Sequence, residues 1–112
     1  MKDTKIKVLV IDDEEDMLEN CSRIIRRLGY ECITLSDSSD AASLIGAETP
    51  YIILTDFAMP TRNGLDILRL AKEISPDTIV ILISGYATIP AVVEAMKEGA
   101  FDYLAKPFSA EQ

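Results

Sequence analysis

Five polar side chains follow apolar runs of this sequence. Asp12 and Asp13 follow "VLVI", Asp56 follows "YIILT", Ser84 follows "TIVILI" and Lys106 follows "FDYLA". The first pair opens a block of five acids, "DDEED". Carboxylates at the mouth of a sheet repel one another by about 4 kcal/mol at 4 Å and an effective dielectric near 20. They can stay together if a hard, oxygen-loving cation joins them, and Mg²⁺ fits first, with Mn²⁺ as an alternative. Lys106 offsets only one of the three charges of Asp12, Asp13 and Asp56. Taken singly, each residue has a plain structural use. Asp56 can form a turn, Ser84 can cap one, Lys106 can be solvated, and Glu14, Glu15 and Asp16 suit the first turn of a helix, where the dipole favours acids. The chemistry lies in their shared position after apolar runs.

The elements that must bring them together read as alternating strands and helices. Residues 6–11 form a buried-strand run. Met17, Leu18, Cys21, Ile24, Ile25 and Leu28 recur at helical spacing, and Gly29 stands where a C-cap glycine belongs. Residues 30–35 read as a second strand, 38–45 as a short helix ended by Gly46, and 51–55 as a third strand. A helix is predicted from Gly64 to Ile74, stopped by Ser75-Pro76. "TIVILIS" is β-branched and apolar on both faces, as a central parallel strand is. Ile89, Val92, Val93 and Met96 mark a further helix closed by Gly99, and "FDYLAK" a fifth strand. This pattern predicts an α/β, flavodoxin-like (βα)5 three-layer sandwich, with a parallel five-stranded sheet of order 2-1-3-4-5. In such a sheet the carboxyl ends of strands one, three, four and five are neighbours. Ligands bind in the crevice outside them.

The 112 residues suit a single domain, and 48% apolar content is enough for a core. A net charge of −8 argues against direct nucleic-acid binding, which needs Lys and Arg, and favours a divalent cation or a basic protein surface. No apolar run is long enough to span a bilayer or serve as a signal-peptide core. Cys21 and Cys32 have no metal or redox spacing and read as reduced core thiols of a cytoplasmic protein. "SAEQ" at the C-terminus reads as a helix start, with Ser109 as N-cap and Gln112 three residues on. The last helix is therefore expected to be truncated, the chain being a piece of a longer protein or leaving an apolar surface for a partner.

"VLVIDDEE", "ILTDFAMPTRNGLDIL", "IVILISGYAT" and "GAFDYLAKPF" together resemble the receiver domain of bacterial two-component response regulators, over nearly the whole chain. The resemblance implies that Asp56 accepts a phosphoryl group from a phosphohistidine on a sensor histidine kinase or phosphotransfer protein. It implies that Asp12, Asp13, Asp56 and the backbone carbonyl of Ala58 hold Mg²⁺. Ser84 would be the switch hydroxyl, Tyr103 the switch aromatic, and Lys106 the phosphate-binding lysine before a cis bond to Pro107. Tyr103 would turn inward as Ser84 swings to the phosphate, altering the face of the fourth helix and fifth strand. The phrasing "GAFDYLAKPF" resembles receivers joined to larger transcriptional activators or kinases, so an output domain in the parent chain is expected, and a homodimer is a further expectation. Two positions vary within the resemblance. Ser84 stands where threonine is also common, and Ala58 offers the site no side chain, which bears on the phosphoryl lifetime. An Mg²⁺-dependent aspartyl-phosphate phosphohydrolase is the alternative. It would carry a second acid two residues after its nucleophile, where this chain has Ala58. The expectation is a switch, an enzyme only toward its own phosphorylation and dephosphorylation.

Overall fold

The computed structural model describes residues 6–59, 62–85 and 88–105. Ten elements follow in order: β1 (Lys7–Ile11), α1 (Glu15–Arg27), β2 (Glu31–Leu35), a 3-10 turn (Ser38–Asp40), α2 (Ala41–Glu48), β3 (Ile52–Asp56), α3 (Gly64–Ile74), β4 (Ile79–Ser84), α4 (Ile89–Lys97) and β5 (Asp102–Ala105). All the pairings are parallel and the strand order is β2-β1-β3-β4-β5, as the sequence predicts.

Alternation along the strands splits the core into two layers. Leu9, Ile11, Ile53, Val80 and Leu82 pack with Ala41 and Ile45 of α2, Ile67, Leu68 and Ala71 of α3, and Ala95 of α4. Val8, Val10 and Cys32 pack with Leu18, Cys21 and Ile25 of α1. Both cysteines are free and buried, and burial pushes the Cys32 thiol up. Among the described residues no helix is long and apolar enough to cross a membrane. The expected helix start at Ser109 to Gln112 lies outside the described residues.

Gly29 and Gly99 close α1 and α4 at φ values of 94° and 108°, where a side chain would be strained. Gly46 does not end its helix. α2 runs on to Glu48 and stops at Thr49, whose φ of 40° is left-handed. The next residue, Pro50, disfavours a right-handed helical conformation at Thr49, and that local clash decides the boundary. At the other end, Ser38 to Asp40 form a separate 3-10 turn.

α3 begins with a reciprocal cap. The Asn63 side chain accepts the Asp66 amide N–H at 2.9 Å, and the Asp66 carboxylate accepts the Asn63 amide N–H at 3.1 Å. Asn63→Ala removes one half of this pair. It is expected to lower stability by about 1 kcal/mol, read as a lowered midpoint in urea with an unchanged slope.

Candidate functional site

The sheet order changes direction at β1. The chain steps outward to β2, then crosses back to β3, so the loops after β1 and β3 diverge and leave a crevice between them. Asp12 and Asp13 follow β1, and Asp56 is the last residue of β3. One carboxylate oxygen from each lies within 4.8 Å of the other two. Asp12 and Asp56 are buried, at 1% and 7% exposure, while Asp13 is open to solvent.

The backbone fixes this rim firmly. The Asp12 amide donates to the Leu35 carbonyl at 3.1 Å, and Asp12 Oδ1 accepts the Glu14 amide N–H at 2.9 Å. The Phe57 amide donates to Ile83 O at 2.8 Å, and Phe57 O accepts the Gly64 amide N–H at 2.7 Å, closing the β3–α3 loop upon itself. Gly64 is pressed against that bond. A Cβ there would lie 2.8 Å from both the Asp56 carbonyl oxygen and Phe57 Cα, and 2.9 Å from Leu82 Cδ2. Only glycine lets α3 start this close to β3.

Two carboxylate charges 4.8 Å apart repel by about 3.5 kcal/mol at an effective dielectric near 20. The donor set is all oxygen. Oxygens bound to one Mg²⁺ at about 2.1 Å lie about 3–4 Å from each other, so small side-chain movements bring these three onto an ion. The exposed Asp13 side leaves room for the waters that Mg²⁺ keeps. The cluster fits a hard divalent cation.

Ser84 is the last residue of β4, buried at 5%, and sits next to Ile83, the register partner of Asp56. Tyr103 of β5 lies opposite Leu82. Its ring already faces inward, packed on the core layer and 5.9 Å from the Phe57 ring. Its hydroxyl is buried and has no hydrogen-bond partner among the described residues. The sequence predicts the inward turn but not that the ring starts there. Ala58 is exposed, two residues past Asp56. Lys106 and Pro107 lie outside the described residues.

Two residues of this rim were not legible as such. Ser38, read as the start of a helix, is 4% exposed, and its Oγ accepts the Arg62 amide N–H across two loops at 3.0 Å. Gly64 reads from sequence only as a helix start. A signal for its neighbour was available, since "NGLD" has the spacing of a capping box.

The family model for the response regulator receiver domain matches residues 8–112. The chain belongs to this family. Over 108 residues the receiver domain is 34% identical to the DNA-binding transcriptional regulator NtrC of Proteus hauseri, covering 96% of this chain and 23% of that protein. It thus spans under a quarter of that relative's length. A solved response regulator protein from Burkholderia pseudomallei, with a phosphorylated aspartic acid, calcium ion and citrate, is 34% identical, with a TM-score of 0.87 over 94% of this chain and 62% of that one. The beryllofluoride-activated NtrC4 receiver domain dimer is 37% identical, with a TM-score of 0.88 over 94% of this chain and 87% of that one. Receiver domains bind a divalent metal, and an acidic cluster of Asp12, Asp13 and Asp56 that could hold one is present here.

Proposed function

We propose that Asp56 is the phospho-acceptor of this receiver domain and that Asp12, Asp13 and the Ala58 carbonyl share with it one Mg²⁺, which Mn²⁺ can replace. The convergence of three carboxylate oxygens within 4.8 Å supports this most directly. The receiver domain is a phospho-accepting switch of two-component signalling. A bound Mg²⁺ supplies charge neutralisation to the phosphoryl oxygens in transfer. An Asp56 carboxylate oxygen forms the new bond to phosphorus. The bond to the donor's histidine nitrogen breaks, and the imidazole keeps that electron pair and takes a proton from solvent. Lys106 pairs a phosphoryl oxygen, and the Ser84 hydroxyl donates to another. One or two such charge-assisted hydrogen bonds supply the roughly 3–4 kcal/mol that moves a switch from a few per cent active to mostly active.

The readout face is α4 with β5. Ala95 is the buried residue of α4, whereas Ile89, Val93 and Met96 are 79%, 45% and 44% exposed and form a stripe on one side. Phe101 adds a 65% exposed ring before β5. On this reading the receiver domain is cytoplasmic, and its partners are a sensor histidine kinase or phosphotransfer protein, an output domain in the parent chain, and a second receiver in a homodimer.

Incubation with Mg²⁺ and acetyl phosphate tests it. The expected result is one phosphoryl group per chain by intact mass, and none in EDTA. Sustained turnover of the donor, far beyond one equivalent, would indicate a phosphohydrolase instead. The cluster also predicts opposite effects of one substitution. Asp13→Asn removes a repelling charge, so in EDTA it is expected to raise stability by about 1 kcal/mol. The same substitution is expected to remove most of the Mg²⁺-dependent stabilisation, which for the unsubstituted chain reaches about 2.7 kcal/mol at a hundredfold excess over Kd. Thermal melts with and without Mg²⁺ check both halves.

A further inference from the structure

We infer that Ser38 is a positioning residue for the metal site, a role that rests on the reading of Asp56 and its cation above. The hydroxyl sits in the segment after β2, 4% exposed, and accepts the backbone N–H of Arg62 at 3.0 Å. Arg62 belongs to the β3–α3 loop, 24 residues away in sequence. That loop starts at Asp56 and carries Ala58. It is held at its ends by the Phe57–Gly64 backbone bond and by the Asn63–Asp66 cap. Both of those contacts join the loop to its own continuation. The Ser38 contact is different in kind, because it ties the loop to the β2 side of the sheet.

The Ser38 side of that tie is anchored twice. Asp37 Oδ1 accepts the Ser39 amide N–H at 3.0 Å and the Ser39 hydroxyl at 2.7 Å, which shapes the turn that presents Ser38. Leu35, the end of β2, accepts the Asp12 amide at 3.1 Å, so the segment that leads to Ser38 is hydrogen-bonded to the metal-binding acids. The loop bearing Ala58 and the segment bearing Asp12 are thereby linked through one buried serine. A metal bound to Asp12, Asp13, Asp56 and the Ala58 carbonyl needs those two segments at a fixed separation. Ser38 sets it, and without its oxygen a backbone N–H loses its acceptor and the loop loses its tie to the β2 side. The effect falls on metal affinity rather than on the nucleophile, since Asp56 is held by its own pairing with Ile83 of β4.

The test compares the unsubstituted chain, Ser38→Ala and Ser38→Thr. Mg²⁺ binding is followed by amide chemical shifts without any phosphoryl donor, and acetyl phosphate labelling is followed across Mg²⁺ concentrations. Loss of one neutral hydrogen bond predicts that Ser38→Ala raises the half-saturating Mg²⁺ about fivefold. The labelling rate at saturating Mg²⁺ stays within about twofold, because the nucleophile is untouched. Ser38→Thr, which keeps the acceptor oxygen, restores the affinity. An unchanged Mg²⁺ affinity in Ser38→Ala would overturn the inference. So would a drop in the saturated rate together with a lowered Tm in both variants, which is the mark of a merely structural serine. If the unsubstituted chain binds Mg²⁺ but takes no phosphoryl group, the assignment of Asp56 fails while the Mg²⁺ titration still tests Ser38.

Discussion

Asp56→Asn is expected to take up no phosphoryl group from acetyl phosphate under conditions where the unsubstituted chain takes up about one. The carboxamide lacks the anionic oxygen that attacks phosphorus, and its nitrogen is no substitute nucleophile. The loss is expected to come without unfolding. Asp56 ends β3 in register with Ile83, and the substitution changes neither its volume nor its backbone bonds. It also removes one of three charges crowded within 4.8 Å, so the Tm in EDTA is expected to match or exceed that of the unsubstituted chain. Intact mass and a thermal melt on the same sample check the two together. Continued labelling of the variant would place the acceptor elsewhere.

The largest stability effect is expected at Gly64. A methyl group there meets the Asp56 carbonyl oxygen, Phe57 Cα and Leu82 Cδ2, all below 3.0 Å. Two of the three are backbone atoms and cannot rotate away. Gly64→Ala is therefore expected to cost about 3 kcal/mol, or roughly 10–20 °C in Tm for a domain of this size. Because the strain falls on the Asp56 peptide, labelling with acetyl phosphate is expected to drop as well, even at temperatures where the variant stays folded. Gly46 provides the control. It lies inside α2, is exposed, and a Cβ there has its nearest neighbour, Ile74 Cγ2, at 3.8 Å. Gly46→Ala is expected to stabilise by about 0.5–1 kcal/mol, the ordinary gain of alanine over glycine in a helix. Opposite signs at two helical glycines separate close packing from helix propensity.

The sheet was legible because its strands are short, apolar on both faces and punctuated. "TIVILIS" has no other use in a chain of this composition, and Gly29 and Gly99 sit where helices close. Once the strand order is fixed, the convergence of Asp12, Asp13 and Asp56 follows from topology. Other details were less visible. Gly46 reads as a stop, yet Pro50 acting through Thr49 sets the end of α2. The Ser38 hydroxyl bonds a residue 24 positions away, which no local pattern encodes. The inward ring of Tyr103 depends on its fit against Phe57 and the core layer, a matter of shape rather than residue type.

The central claim is that Asp12, Asp13 and Asp56 jointly hold one divalent ion. A crystal of the protein grown with Mn²⁺, measured at an energy where manganese scatters anomalously, tests it most directly. One anomalous peak bonded to carboxylate oxygens of Asp13 and Asp56, with Asp12 alongside, is the predicted result. The absence of a peak between these side chains at millimolar Mn²⁺, with the three carboxylates turned apart, would contradict it.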